Sequence, residues 1–335
     1  MSKDSGTYTS RTVIKTQRER MLRQFVANLH RNWNAMASAQ QASSTSRNDT
    51  AKDNPRTPDA FPTQVDHAPG VIATQCSVTR LQIRVTNGSD GKVSGFLHTP
   101  TPYKPGTHNK TAAILLSGAG GGVTGPSSMY LGIADKLAGL PKAHQALLAL
   151  RLDYRFPARN KHCVPDVQAA IELLKNEHQI EKVVLVGWSF GSAPVLTCAA
   201  QDPRVIGVAL VAPQTAETEG LEMLPPRPLL LCHGLADRTL SPRCSRDLER
   251  RYRNADSSRK GEVELRLFDG DDHALTLHAA KAERKITEFI LRLAGVESVE
   301  DVSSVIEANV LPEKKAEKVR LMKEGGDLKG GESVE

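Results

Sequence analysis

Aromatic residues are scarce, with Phe, Trp and Tyr together making up 4% of the 335 positions. The basic stretches are not interleaved with rings on which bases could stack, so the formal charge of +6 does not read as a nucleic-acid surface. Its distribution points the same way: residues 1–60 carry roughly +5 and residues 297–335 roughly −4, so the charge is concentrated at the ends. Long apolar runs are missing too. None approaches the about 20 residues that cross a bilayer, and no uninterrupted apolar core follows the first basic residues, as a secretory signal would require. The five cysteines (Cys76, Cys163, Cys198, Cys232 and Cys244) show neither paired spacing nor a metal-ligand pattern. No metal is expected. A reduced, cytoplasmic compartment is the simpler expectation, with the mitochondrion as the alternative.

What is present divides the chain into three. Residues 1–70 hold a basic amphipathic helix and a linker. From Arg11 to Ala39 the apolar residues Ile14, Met21, Leu22, Phe25, Leu29, Trp33 and Met36 recur at helical spacing, with arginines over much of the remaining surface. Such a helix suits packing on the domain or on a protein partner, a transit peptide, or docking on an anionic membrane. Asp4 and Glu19 count against the transit peptide. Residues 40–70 turn to Ser, Thr, Asn, Asp and Pro and read as a disordered linker. Residues 71–295 form the folded domain. Residues 296–335 read as a charged, solvated tail, the alternative being a helix over Val299 to Met322 broken at Pro312.

Within the domain, Val78–Val85 and Lys92–Leu97 flank Thr86-Asn87-Gly88-Ser89-Asp90-Gly91 and predict an antiparallel hairpin. Apolar runs then alternate with helical patterns. Strands are expected at Ala112–Leu116, Ala146–Leu152, Lys182–Val186, Val205–Val211, Leu229–Cys232 and Val263–Phe268. Helices are expected near Met129–Ala138, Asp166–Asn176, Phe190–Ala200, Cys244–Arg253 and Leu275–Leu293. The fold class is therefore α/β, with a mostly parallel central sheet covered by helices on both faces.

Gly187-Trp188-Ser189-Phe190-Gly191 follows one of these strands and opens one of these helices. A serine on so sharp a turn presents its hydroxyl beyond the strand end, and a β-carbon two residues to either side would crowd the turn. Pro194 is compatible with the helix, because first-turn amides have no intrahelical partner to lose. A serine hydroxyl needs a base to act as a nucleophile, and the base needs an orienting acid. Two later strands end in His233-Gly234-Leu235-Ala236-Asp237 and Asp269-Gly270-Asp271-Asp272-His273, which puts Asp237 and His273 at the same sheet edge as Ser189. His278 is the substitute for His273, and neighbouring Asp271 and Asp272 are poorly placed to reach its ring.

These three motifs, in the order Ser, Asp, His, resemble the α/β-hydrolase superfamily, and its carboxylesterase or dienelactone-hydrolase-like members in particular. The resemblance covers about Val71 to Gly295 and implies Ser189 as nucleophile, His273 as general base and then acid, and Asp237 as orienting carboxylate. It also implies an oxyanion hole, with one backbone N–H from Phe190. The other would come from Ser117-Gly118-Ala119-Gly120-Gly121-Gly122, where Ala119 is the donor if Gly118 matches the family glycine, and Gly120 is the alternative. Gly118, Gly120, Tyr154 and Trp188 are candidate substrate contacts. Arg155 lies near the same mouth, and Asp153 is expected to tie loops. The glycines lack the lysine of a phosphate-binding loop, so no cofactor is expected. Gln214–Pro228, about 15 residues, is too short for a lid domain. The expected substrate is a small or accessible ester or thioester. A non-catalytic scaffold of the same fold and a peripheral membrane lipid hydrolase are the alternatives, the latter through residues 11–39.

Overall fold

A strand that is apolar on both faces must be covered on both faces, and the centre of this sheet is built from such strands. The computed structural model describes residues 76–86, 91–141, 145–255, 261–297, 300–308 and 320. The basic helix over 11–39, the linker over 40–70, the hairpin turn at 87–90 and the helix break at Pro312 lie outside the described residues. Eight strands form one sheet: Cys76–Arg84 (β1), Lys92–Pro100 (β2), Thr111–Leu116 (β3), Leu148–Leu152 (β4), Lys182–Trp188 (β5), Val205–Val211 (β6), Leu229–Gly234 (β7) and Val263–Phe268 (β8). Their order is β1-β2-β4-β3-β5-β6-β7-β8. β1 and β2 pair antiparallel, as do β2 and β4, and every other pairing is parallel.

Among the described residues, seven α-helices accompany the sheet: Met129–Ala138 (α1), Asn160–His178 (α2), Ser192–Gln201 (α3), Gly220–Met223 (α4), Arg243–Arg253 (α5), Ala279–Leu293 (α6) and Glu300–Glu307 (α7). Side chains alternate along each strand between two cores. Ile114, Leu116, Leu185 and Leu210 meet Val167 and Ile171 of α2, Leu196 of α3 and Leu248 of α5. Ala113, Leu115, Val186 and Val211 meet Ile133 of α1 and Ile286 and Ile290 of α6. No helix among the described residues is long and apolar enough to cross a membrane.

All eight expected strands are present, and three helices differ from expectation for local reasons. α2 begins at Asn160 rather than near Asp166, because Pro165 is carried inside it. The Lys161 carbonyl that Pro165 cannot serve belongs to an exposed residue that water can reach. α6 begins at Ala279 rather than Leu275, since residues 271–278 are drawn into a tight loop described below. The solvated tail expected from residue 296 is corrected over 300–307. Val302, Val305 and Ile306 of α7 are buried in the same core as α6. The sequence hid this because a short amphipathic helix amid charge carries few apolar residues.

Lys136 of α1 is the polar anchor for α7. Its buried ammonium donates to the Ile306 carbonyl at 2.8 Å and pairs with Glu283 of α6 at 2.7 Å. Lys136→Met strips the donor from that helix-end carbonyl and should lower urea-denaturation stability by about 2 kcal/mol. An unchanged unfolding midpoint would show that the Lys136 contacts contribute nothing to the fold's stability.

Candidate active site

The parallel strands all point one way, so the loops after β3, β4, β5, β7 and β8 converge at one sheet edge. Ser189 stands there at φ 55°, in the left-handed region that disfavours a side chain. The turn admits no β-carbon on either flank. One at Gly187 would lie 2.6 Å from the Gly191 carbonyl oxygen, and one at Gly191 would lie 2.6 Å from the Ser117 oxygen and 2.9 Å from that of Leu116. The Ser189 carbonyl accepts from Ser192 Oγ at 2.8 Å and from the Gln214 N–H at 3.4 Å, which fixes the turn from two sides. Pro194 lies in the first turn of α3, as expected.

Asp237 and His273 meet. Nδ1 of His273 lies 2.7 Å from Asp237 Oδ2, and the Asp237 carboxylate is fully enclosed. Oδ1 accepts from the Thr239 and Leu240 N–H groups at 2.7 and 2.9 Å. Burial pushes the Asp237 carboxyl up, but hydrogen bonds from His233, His273 and the Leu240 N–H outweigh it and hold the group well below the usual carboxylate range. His273 is also fixed from the side of the Ser189 turn. The Trp188 indole N–H donates to the His273 carbonyl at 3.1 Å, and the two rings lie 5.6 Å apart.

The loop carrying His273 is shaped by the two neighbouring aspartates. Asp271, buried, accepts from the Leu277 and His278 N–H groups at 2.9 and 3.0 Å and from His278 Nδ1 at 3.0 Å. Asp272 accepts from the Ala274 and Thr276 N–H groups. His278 thus pairs with Asp271 and precedes α6, rather than lying one turn inside a helix. The loops after β7 and β8 are bound to each other through Ala236 N–H to the Asp271 carbonyl and Leu235 N–H to that of Phe268, each at 2.8 Å.

The remaining expected site residues divide. Gly118 is against Ser189, since a β-carbon there would lie 3.4 Å from Ser189 Cβ and from the Trp188 ring. Ala119 is half-buried beside it, whereas Gly120 is exposed with nothing within 4 Å of where its β-carbon would be. Phe190 is buried. Tyr154, expected at the substrate, is corrected: it is buried beneath the turn, meets Phe190 edge-on at 5.7 Å and donates to the Ser117 carbonyl at 3.2 Å. Burial pushes its phenol up, which keeps the hydroxyl a donor. Trp188 is half-buried, and its polar end is used on His273. Arg155 turns inward to the buried Asp166. Asp153 ties loops as expected, accepting from the Gly122 N–H at 2.7 Å and the Tyr154 N–H at 2.8 Å.

One further cluster of potential metal ligands exists among the described residues, where Cys76, His98 and Asp135 bring one ligand atom each within 4.8 Å of one another. Its chemistry suits structure better than a cation. Arg151 Nε donates to His98 Nε2 at 2.8 Å, so Nδ1 carries the ring hydrogen toward Asp135 Oδ1, also at 2.8 Å. Burial and the Asp135 carboxylate push the Cys76 thiol up, and its Sγ donates to Asp135 Oδ1 at 3.3 Å. The cluster ties β1, β2 and β4 to α1.

With this geometry established, the chain can be set beside known proteins. A profile described as the alpha/beta hydrolase family matches residues 113–303. No curated protein matches. Among solved structures, Est1E from Butyrivibrio proteoclasticus is 15% identical, covering 64% of this chain and 99% of its own, with a TM-score of 0.51. A protein of unknown function from Agrobacterium tumefaciens is 16% identical over 64% of this chain and 97% of its own, with a TM-score of 0.52. A dienelactone hydrolase from Anabaena variabilis is 16% identical over 65% of this chain and 98% of its own, with a TM-score of 0.50. At such identities these three share the fold. The family match spans more than half of the sequence, and the chain belongs to the alpha/beta hydrolase family.

Proposed function

We propose that the protein is a serine hydrolase that cleaves a carboxylic ester or thioester through an acyl-enzyme. The observation that carries this reading is the strained Ser189 between Gly187 and Gly191, with His273 bonded to the enclosed Asp237 at 2.7 Å and tied through its carbonyl to Trp188, the residue before the serine. Because His273 Nδ1 is occupied by Asp237, Nε2 is the nitrogen left to take the Ser189 proton. Ser189 Oγ then bonds to the substrate carbonyl carbon. The resulting oxyanion is stabilised by the N–H groups of Phe190 and Ala119, and collapse expels the leaving group with the proton from His273. Water, deprotonated by the same imidazole, cleaves the acyl-enzyme and restores Ser189. The contact of Gly118 with Ser189 supports Ala119 over Gly120 as the second donor, because residue 119 follows directly on that contact.

The segment between β6 and β7, residues 212–228, contains only the single turn α4. So short a segment favours a small acyl compound or the accessible end of a larger one over a long chain enclosed beneath a lid domain. The related dienelactone hydrolase and Est1E share the fold, and the substrate here is a matter for assay.

Ser189→Ala should abolish turnover of p-nitrophenyl acetate, by a factor on the order of 10⁴ or more, with an unchanged melting temperature. Labelling by a fluorophosphonate should disappear with it, and esterase activity surviving the change would overturn the assignment. Gly191→Ala keeps every proposed catalytic group but places a methyl 2.6 Å from the Ser117 oxygen. Displacing the turn should slow labelling on the order of 10²-fold while the fold persists by circular dichroism.

A further inference from the structure

His233 lies four residues before Asp237 at the end of β7, is wholly buried, and reaches the same carboxylate from behind. Its Nε2 is 3.1 Å from Asp237 Oδ2 and 3.0 Å from the Leu240 carbonyl oxygen. Both are acceptors, so Nε2 must carry a hydrogen. The other nitrogen, Nδ1, is 2.7 Å from Ser245 Oγ of α5, whose hydroxyl is the donor when the ring holds one hydrogen. Asp237 therefore accepts two backbone N–H groups on Oδ1 and the His273 imidazole on Oδ2, while the single Nε2 hydrogen of His233 is shared between the Leu240 carbonyl at 3.0 Å and Oδ2 at 3.1 Å.

We propose that His233, held by Ser245, is a positioning residue for the hydrolytic reaction, fixing the Asp237 carboxylate and limiting how strongly it draws on His273. The proposal rests on the serine-hydrolase reading above. A carboxylate with one oxygen shared between two imidazoles presents each with less basic charge than one bonded to His273 alone. It also cannot rotate away, because the donor behind it is embedded in the protein. Ser245 completes the arrangement from a different element, so α5 is coupled to the site through a chain of three polar groups.

His233→Leu removes the rear donor, His233→Gln keeps an N–H near the Nε2 position, and Ser245→Ala removes only the hydroxyl that orients the ring. The readout is the rate of fluorophosphonate labelling of Ser189 in the full chain between pH 5 and 9, with melting temperatures recorded alongside. In His233→Leu, labelling should fall about tenfold, the loss expected for one hydrogen bond to a charged group. The midpoint of its pH profile should move upward, because Asp237 then favours the protonated form of His273 more strongly. His233→Gln should restore most of the rate and the original midpoint, and Ser245→Ala should shift the midpoint in the same direction by less. Should His233→Leu fold poorly, Ser245→Ala against wild type carries the same test. The other titratable groups near Asp237 do not reproduce this pattern. Burial pushes the Cys244 thiol up and keeps it uncharged; Asp272, despite burial, is held below its usual range by Thr276 and Ala274; and the Asp271–His278 pair is present in every variant. A rate loss with an unmoved midpoint and no rescue by Gln would mean that His233 only supports the fold, and would overturn the proposal. Failure of the wild-type protein to label at any pH would instead overturn the serine-hydrolase reading, and this proposal with it.

Discussion

The active edge of this protein depends on a contact between backbones that leaves no room for side chains. Gly187 and Gly191 approach each other and the end of β3 so closely that neither could carry a β-carbon, and the chain between them is forced through Ser189 at φ 55°. That conformation costs about 1–2 kcal/mol for a residue with a side chain. Two hydrogen bonds to the Ser189 carbonyl, from Ser192 and from the Gln214 N–H, offset it at about 1 kcal/mol each. The strain is held by neighbours on β3, α3 and the β6 loop, so the serine's exposure is a property of the whole sheet edge.

Around that turn, the same device closes three of the loops. Asp153 after β4, Asp237 after β7 and Asp271 after β8 are each buried, and each accepts backbone N–H groups that would otherwise lack partners. Buried loop backbone must find such acceptors, and a short carboxylate next to the turn supplies two oxygens at once. Asp153 and Asp271 meet this demand within and between loops. Asp237 meets it with Oδ1 and keeps Oδ2 for the two imidazoles.

Much of this was legible in the sequence, and the reasons are physical. Strands such as Val183–Val186 and Val208–Val211 are uninterrupted because both faces are covered, and a run of that kind is visible without any partner. Gly187, Ser189 and Gly191 were legible because a local steric requirement selects local residues. Asp237 and His273 followed from standing just past strand ends. What could not be read depends on contacts between distant elements. His233 was in view within His233-Gly234-Leu235-Ala236-Asp237 but had no role until Ser245 of α5 was placed against it. Tyr154 was assigned to the mouth by its place after β4, whereas the side chain packs under Phe190, a choice that spacing alone does not encode. The packing of α7 was hidden for the same reason, its anchor being Lys136, distant in sequence.

The residues 269–278 contain a second aspartate–histidine pair, and the contrast sharpens what makes the first one chemically useful. Asp271 and His278 are also hydrogen-bonded, at 3.0 Å, and the Asp271 carboxylate is as enclosed as that of Asp237. Yet Asp271 spends its oxygens on the Leu277 and His278 amides of its own loop, and His278 stands at the start of α6. His273, by contrast, is tied through its carbonyl to Trp188, the residue immediately before the strained serine. An acid and a base in contact thus recur at this sheet edge. Of the two, it is the His273 pair whose backbone is fastened to the turn that carries Ser189.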